Sequence, residues 1–244
     1  MRLFKNITYA NEHPAQKLDI YLPEAEAYDV LVYVHGGGIE SGSKDCDTTL
    51  YETLVEEGIC VVTIDYRMYP FARYPEFLYD AAAAVAWTKK HINEYGNAKR
   101  IFVGGSSAGG YISMMLYFDR KYLAPFQLSP CDLDGFVLDA GQPTSHFNVL
   151  REQGIDSRRV IVDETAPLFH VKQYDGEPPA MILVSSNDIE NRYAQTQLLI
   201  STMKHFGYPE DKISYHFMDG YSHCGYTNQP IFGKMIAEFF RETK

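Results

Sequence analysis

The sequence predicts an α/β protein in which a mostly parallel, twisted sheet carries helices on both faces. Short and nearly continuous apolar runs recur along the chain, as in strands that are buried on both faces. Segments with helical periodicity lie between these runs, and such alternation is typical of a parallel sheet. The 244 residues suffice for one large domain. We therefore expect residues 1–244 to form a single domain.

The predicted strands begin with an antiparallel edge and continue as buried parallel strands. Polar and apolar residues alternate over Lys17–Leu22, which we expect to pair with residues 6–10. The later apolar runs cover residues 30–34, 59–64, 101–103, 136–138, 181–184 and 213–218.

Three amphipathic helices are predicted from apolar residues that share one helical face. The first contains Leu78, Ala81, Ala82, Val85 and Ile92; the second contains Leu198, Leu199, Met203 and Phe206; the last contains Phe232, Met235, Ile236, Phe239 and Phe240. A further helix is compatible with residues 111–118, directly after the run at 101–103.

Residues 142–179 interrupt the alternation of strands and helices. The segment contains no clear strand and is rich in Pro, Asp, Glu, Arg and His. We interpret it as a small cap or lid beside the site. The alternative is a plain surface excursion.

Composition and charge limit the classes of molecule that the protein is expected to bind and the compartment in which we expect it. A net charge of −10 disfavours nucleic acid, which needs patches of Lys and Arg. No apolar run is long enough to span a bilayer, and the first residues resemble no signal peptide. The four cysteines form no C-x-x-C pair, which favours free thiols in the cytoplasm. The exposed edge strands of the predicted sheet are compatible with a homodimer.

Residues 105–109, Gly-Ser-Ser-Ala-Gly, match the G-x-S-x-G pattern of a nucleophile placed at a strand-to-helix turn. Such a turn forces its corner residue into a strained conformation and exposes its side chain. The two chain arms nearly touch, so the flanking residues must be small. This spacing favours Ser107 as the nucleophile over Ser106, whose flanks would be Gly104 and Ala108.

A serine hydroxyl needs a base, and the base needs a carboxylate that orients it. His223 follows the last predicted strand within a glycine-flanked turn, where its imidazole can reach the same sheet edge. Asp188 follows the strand at 181–184 and is the predicted acid, with Asp139 as the alternative. The chain order Ser, Asp, His is that of the G-x-S-x-G hydrolases.

The run His35-Gly36-Gly37-Gly38 follows the strand at 30–34 and predicts backbone donors for an oxyanion. Glycines let N–H groups approach a substrate oxygen closely. Gly36 and Gly37 are the expected donors, together with the N–H of Ala108. A glycine-rich turn is the alternative. A phosphate cradle is disfavoured because no G-K-[ST] follows.

These motifs resemble those of esterases of the α/β-hydrolase superfamily along nearly the whole chain. The similarity is to small carboxylesterases, namely the acetyl-esterase and feruloyl-esterase-like branch and the kynurenine formamidase-like enzymes. Beyond the two glycine motifs, it is carried by Asp65-Tyr66-Arg67, Tyr74-Pro75, Asp80, Trp87 and Pro178-Pro179-Ala180. Ile39 departs from the pattern, because relatives often have an aromatic residue there.

The resemblance implies an α/β-hydrolase fold and a serine hydrolase that cleaves carboxylic esters through an acyl-enzyme, with no cofactor and no metal. The substrate would be a small-molecule ester. We expect short acyl groups, because no cap segment precedes the glycine run. Amide hydrolysis on the same triad, by a formamidase-like enzyme or a small peptidase, is the alternative. A catalytically silent binding protein is a third hypothesis.

Overall fold

The computed structural model describes residues 1–243 and contains one sheet with helices packed on it. Its strands are β1 (Arg2–Thr8), β2 (Lys17–Leu22), β3 (Tyr28–Val34), β4 (Cys60–Ile64), β5 (Ala98–Ser106), β6 (Gly135–Asp139), β7 (Ala180–Asn187) and β8 (Ile213–Ser222). Its α-helices are α1 (Thr48–Glu56), α2 (Glu76–His91), α3 (Ala108–Phe118), α4 (Phe147–Glu152), α5 (Arg192–His205) and α6 (Pro230–Glu242).

The eight strands form a sheet in the order β1-β2-β4-β3-β5-β6-β7-β8. The pairs β1–β2 and β2–β4 are antiparallel, and every other pair is parallel. The predicted α/β class and the antiparallel edge are therefore confirmed. The carboxyl ends of β3, β5, β6, β7 and β8 consequently lie along one edge of the sheet.

Side chains that alternate along the central strands build a separate core on each face. Val30, Val32 and Val34 of β3 belong to the core that includes α2, α3 and α5. Leu31 and Tyr33 belong to the core that includes α1 and α6. Burial on both faces explains the nearly continuous apolarity of the parallel strands.

The structure differs from the sequence prediction in several elements, including β1, which covers Arg2–Thr8 rather than residues 6–10. Helix α1 was not predicted, because its nine residues contain only a short apolar pattern. Strand β5 extends to Ser106, so it reaches the residue before the predicted nucleophile. Leu198 was predicted to pack in the core, but its side chain is exposed on α5.

A buried ion pair connects the β4–α2 loop to α2. The guanidinium of Arg67 donates to both carboxylate oxygens of Asp80, over 2.9 Å from Nε and 2.7 Å from Nη2. Gln16 donates to the same carboxylate over 2.7 Å. Asp80 is only 1% exposed, so these donors replace the water that its charge has lost.

We expect Asp80→Ala to lower the free energy of unfolding by about 3 kcal/mol, because it leaves the Arg67 guanidinium without its buried partner. Glu12 is a matched control, since it contacts Arg67 over 3.4 Å but its side chain is 75% exposed. Glu12→Gln should cost less than about 1 kcal/mol. Urea denaturation of both variants checks this, and equal costs would contradict it.

Candidate active site

Ser107 occupies the sharp turn between β5 and α3. Its backbone has φ 56° and ψ −114°, a conformation that residues with a side chain rarely adopt. The turn is held by a hydrogen bond from the Ser107 N–H to the carbonyl oxygen of Asp139, at 2.9 Å. The side chain of Ser107 is therefore presented at the sheet edge where the parallel strands end.

The glycines on either side of Ser107 lie where the backbone segments are in direct contact. A Cβ atom at Gly105 would lie 2.7 Å from the carbonyl carbon of Gly109. A Cβ atom at Gly109 would overlap the carbonyl oxygen of Val34, at the end of β3. A larger residue at either position would separate β3, β5 and α3.

The structure brings Ser107, His223 and Asp188 into one hydrogen-bonded chain. Nε2 of His223 lies 2.8 Å from Oγ of Ser107, and its Nδ1 lies 2.6 Å from Oδ1 of Asp188. His223 follows the end of β8, and Asp188 follows the end of β7. Residues that are 35 and 116 positions apart in the chain thus meet because the ends of β5, β7 and β8 are close in space.

Asp188 is held as a carboxylate. Burial disfavours its charge, but hydrogen bonds from His223 and from the N–H groups of Ile189 and Ser185 outweigh this, and the pKa of Asp188 lies below its ordinary value. The two backbone donors lie 2.7 Å and 3.3 Å from the carboxylate oxygens. The carboxylate can therefore orient the imidazole and stabilise its protonated form.

The glycine run lies beside Ser107. A Cβ atom at Gly36 would lie 3.3 Å from Cβ of Ser107, and Gly37 has φ 103°, which favours glycine. Within residues 1–243, the N–H groups of Gly36, Gly37 and Ala108 donate no hydrogen bond. The three predicted donors are therefore available to a bound oxygen.

His35, which precedes these glycines, has a structural environment. Its ring stacks on Tyr66 with centroids 4.5 Å apart, and its Nδ1 donates to the carbonyl oxygen of Gly36 over 2.7 Å. Burial lowers the pKa of His35 to about 4. A neutral imidazole at neutral pH therefore supports the glycine loop.

Two residues of the 142–179 segment touch the glycine run. Asn148 is buried and donates from Nδ2 to the carbonyl oxygen of Gly38 over 2.5 Å. A Cβ atom at Gly38 would lie 3.2 Å from the ring of Phe147. Helix α4, which carries both residues, thus packs against the loop that presents the backbone donors.

Asp139, the alternative acid, lies in a different hydrogen-bond network that the sequence did not reveal. Its carboxylate accepts from Ser106 Oγ over 2.5 Å and from the hydroxyl of Tyr226, and Tyr33 donates to Ser106 over 2.9 Å. Ser106 precedes Ser107, and Tyr226 follows His223 in the same loop. Asp139 therefore links the two segments that carry Ser107 and His223.

The described residues give no sign of a metal centre or of a membrane-spanning element. Within residues 1–243, no cluster of three or more His, Cys, Asp or Glu side chains has a metal-binding arrangement. In the same residues, no helix has both the length and the apolarity needed to cross a bilayer.

Models of two protein families match the chain. The model described as BD-FAE matches residues 18–124, and that of the prolyl oligopeptidase family matches residues 76–243, more than half of the chain. The chain belongs to the prolyl oligopeptidase family. The match includes Ser107, Asp188 and His223.

Curated relatives match less than half of the chain. A probable isoprenylcysteine alpha-carbonyl methylesterase of Arabidopsis thaliana is 34% identical over 112 residues, which are 45% of this chain and 23% of the relative. An acetyl esterase of Salmonella schwarzengrund is 32% identical over 97 residues, which are 39% of this chain and 30% of the relative. The chain spans less than a third of the length of these relatives.

Solved structures share the fold over the whole chain. A truncated carbohydrate esterase from gut microbiota superposes with a TM-score of 0.81 at 19% identity, covering 100% of this chain and 96% of the other. Together with the sheet order, this confirms the predicted α/β-hydrolase fold.

We expect the stability of the protein to depend on pH through Asp139. Burial raises the pKa of Asp139 to about 7, so the native state binds a proton that the unfolded chain releases near pH 4. The contribution of the protonated Asp139 carboxyl to the free energy of unfolding is therefore fully present below about pH 4 and is lost as the pH rises through about 7. The loss is about 1.4 kcal/mol for each unit by which the native and unfolded pKa values differ.

The substitution Asp139→Asn removes this titration. Relative to the wild type, the variant should gain stability between about pH 5 and about pH 8. Urea denaturation of both proteins across this range measures the difference. A difference that does not change with pH would contradict a raised pKa.

Proposed function

We propose that this protein is a serine esterase that cleaves carboxylic esters with Ser107, His223 and Asp188 as its catalytic residues. The proposal rests on one observation, the continuous hydrogen-bonded chain from Oγ of Ser107 through the imidazole of His223 to the carboxylate of Asp188. The available N–H groups of Gly36, Gly37 and Ala108 complete the arrangement that acyl transfer requires.

The reaction proceeds in two halves. Oγ of Ser107 attacks the ester carbonyl while Nε2 of His223 accepts the hydroxyl proton, and Asp188 stabilises the resulting imidazolium. The three backbone N–H groups bind the oxyanion of the tetrahedral intermediate. The imidazolium then donates its proton to the departing alcohol, which leaves the acyl group on Ser107. Water activated by His223 releases the acid and restores the serine.

The names of the relatives favour esters over amides as the substrate class. The curated relatives described above are a methylesterase and an acetyl esterase, although the family itself is named after an oligopeptidase. The same triad serves both reactions. Direct comparison of acetyl esters, short peptides and N-formylkynurenine decides between them.

We expect Ser107→Ala to reduce kcat for 4-nitrophenyl acetate by at least about a thousandfold, because it removes the nucleophile. Asp188→Asn should reduce kcat by about ten-thousandfold, because it loses the charge that orients the base. Steady-state kinetics at saturating substrate measure both effects. Full activity of the Ser107→Ala protein would overturn the proposal.

Labelling with a fluorophosphonate probe provides a matched control at the neighbouring serine. Ser106 is buried and bonded to Asp139, so Ser106→Ala should still be labelled, whereas Ser107→Ala should not. If only the Ser106→Ala protein lost its labelling, Ser106 rather than Ser107 would be the nucleophile, and the proposal would be wrong. Absence of labelling in the wild type would favour a silent binding protein.

We also infer that residues 142–179 act as a small cap beside the site and that the acyl pocket is short. The contacts of Phe147 and Asn148 with Gly38 support the position of this cap. The acetyl specificity in the name of one relative is compatible with a small acyl group.

The short-pocket hypothesis predicts that kcat/KM is highest for acyl groups of two to four carbons. Longer chains should lose activity because a small pocket cannot bury them. A series of 4-nitrophenyl esters from acetate to decanoate, assayed below the critical micelle concentrations, measures this dependence. Activity that rises steadily toward decanoate would contradict it.

We infer that the protein works in a reducing compartment such as the cytoplasm, without nucleic acid as a partner. The free thiols of Cys46, Cys60, Cys131 and Cys224 support the first inference, and the net charge of −10 supports the second. Dimerisation through exposed edge strands stays a prediction from the sequence.

A further inference from the structure

A cavity lies between the 142–179 segment and the chain that follows Asp188 into α5. Its volume is about 380 Å³. Its walls include Gln142, Phe147, Arg158, Arg159, Arg192 and Gln195. We refer to it as the arginine pocket. None of its guanidinium groups has a part in the acyl-transfer chemistry described above.

Arg192 is the most unusual group in this wall. The residue is only 4% exposed, yet within residues 1–243 no carboxylate oxygen lies within 4.0 Å of its guanidinium. Its hydrogen bonds go to neutral acceptors, from Nη1 to the carbonyl oxygen of Ala140 and from Nη2 to Oε1 of Gln142 over 3.5 Å. Buried charges in proteins normally have an ionic partner.

The two carboxyl groups that interact electrostatically with Arg192 are hydrogen-bonded to other residues. Asp188 and Asp139 both act on it electrostatically. Asp188, however, is bonded to His223, and Asp139 is bonded to Ser106 and Tyr226. Arg192 therefore keeps guanidinium N–H groups that these carboxylates do not use. Burial lowers the pKa of Arg192, as expected for a charge without a close partner.

Besides Arg192, the pocket lining carries three charged side chains, Arg158, Arg159 and Glu190. Arg159 is exposed at the rim. Arg158 is paired with Asp156 over 2.6 Å, so its charge is largely compensated. Glu190 contributes a carboxylate to the same lining and is exposed. Arg192 also begins α5, where the helix dipole favours an anion.

The arginine pocket adjoins the catalytic groups on two sides. Its residues Ile189 to Arg192 directly follow Asp188 in the chain. Phe147, in the opposite wall, packs against Gly38 of the glycine run. The cavity wall thus includes neighbours of Asp188 in the chain and a residue that contacts the glycine run.

We propose that the arginine pocket binds a carboxylate carried by the ester substrate, with the Arg192 guanidinium as its main partner and Arg159 as a second positive group. The preferred substrates are then esters of a dicarboxylic acid or esters of a hydroxy acid. This inference rests on the proposed esterase function. A planar guanidinium with free N–H groups matches the two oxygens of a carboxylate.

Two matched pairs of esters test the proposal and locate the carboxylate. Mono-4-nitrophenyl glutarate and 4-nitrophenyl valerate share a five-carbon acyl chain and differ in a terminal carboxylate. For the alcohol side, 4-acetoxybenzoate is compared with its methyl ester. We expect the wild type to have a higher kcat/KM for the anionic member of at least one pair. No preference in either pair would overturn the proposal.

The variant Arg192→Gln should lower that preference about tenfold or more, mainly through KM, because a charge-assisted bidentate contact is lost. Arg159→Gln should lower it by a smaller factor, and its exposed position makes it a safe second variant if Arg192→Gln fails to fold. Arg241→Gln is the control, since Arg241 is exposed on α6 and pairs with Glu57. The Arg241→Gln protein should prefer the anionic ester as strongly as the wild type does. An unchanged preference in all three variants would refute the role of the pocket.

A binding experiment separates failure of this inference from failure of the esterase proposal. Calorimetric titration of the Ser107→Ala protein with monomethyl glutarate measures recognition without turnover. Binding that disappears on adding Arg192→Gln supports the pocket even if no ester is cleaved. Hydrolysis of neutral esters that depends on Ser107, with no binding of monomethyl glutarate, leaves the esterase proposal intact and overturns the carboxylate site.

Discussion

The contact between the end of β3 and the turn around Ser107 is the constraint on which the rest of the site depends. Gly105 and Gly109 bring two chain segments together, and Gly109 packs directly against the carbonyl oxygen of Val34. This contact holds Ser107 in its strained conformation. It also places the glycine run, which follows β3, next to Ser107.

The parallel sheet then assembles the remaining groups. Neighbouring parallel strands end at the same edge, so the loops after β5, β6, β7 and β8 meet there. Ser107, Asp188 and His223 directly follow β5, β7 and β8, and Asp139 is the last residue of β6. Separations of many residues along the chain become hydrogen-bond distances because the strand order, rather than the sequence order, decides which loops are neighbours.

The carboxyl groups of Asp139 and Asp188 at this edge have pKa values that are shifted in opposite directions. Asp188 receives hydrogen bonds from an imidazole and from backbone N–H groups, so its pKa is lowered despite burial. Asp139 is fully buried, and burial raises its pKa to about 7 although the hydroxyl groups of Ser106 and Tyr226 donate to it. The difference suits an orienting anion in one position and a structural link between two loops in the other. The guanidinium of Arg192 lies in the field of both, without bonding to either.

The sequence by itself determined the fold class, the G-x-S-x-G turn at Ser107 and the glycine run, because these depend on local apolar periodicity and on steric limits within a few residues. It also indicated His223 and Asp188, since their positions after predicted strands place them at one sheet edge. Only the tertiary structure decided helix α1, the Asp139 network with Tyr33 and Tyr226, and the burial of Arg192 without a carboxylate partner. Their partners are distant in the chain, and whether a polar side chain is buried, and beside which group, depends on the packing of the whole sheet.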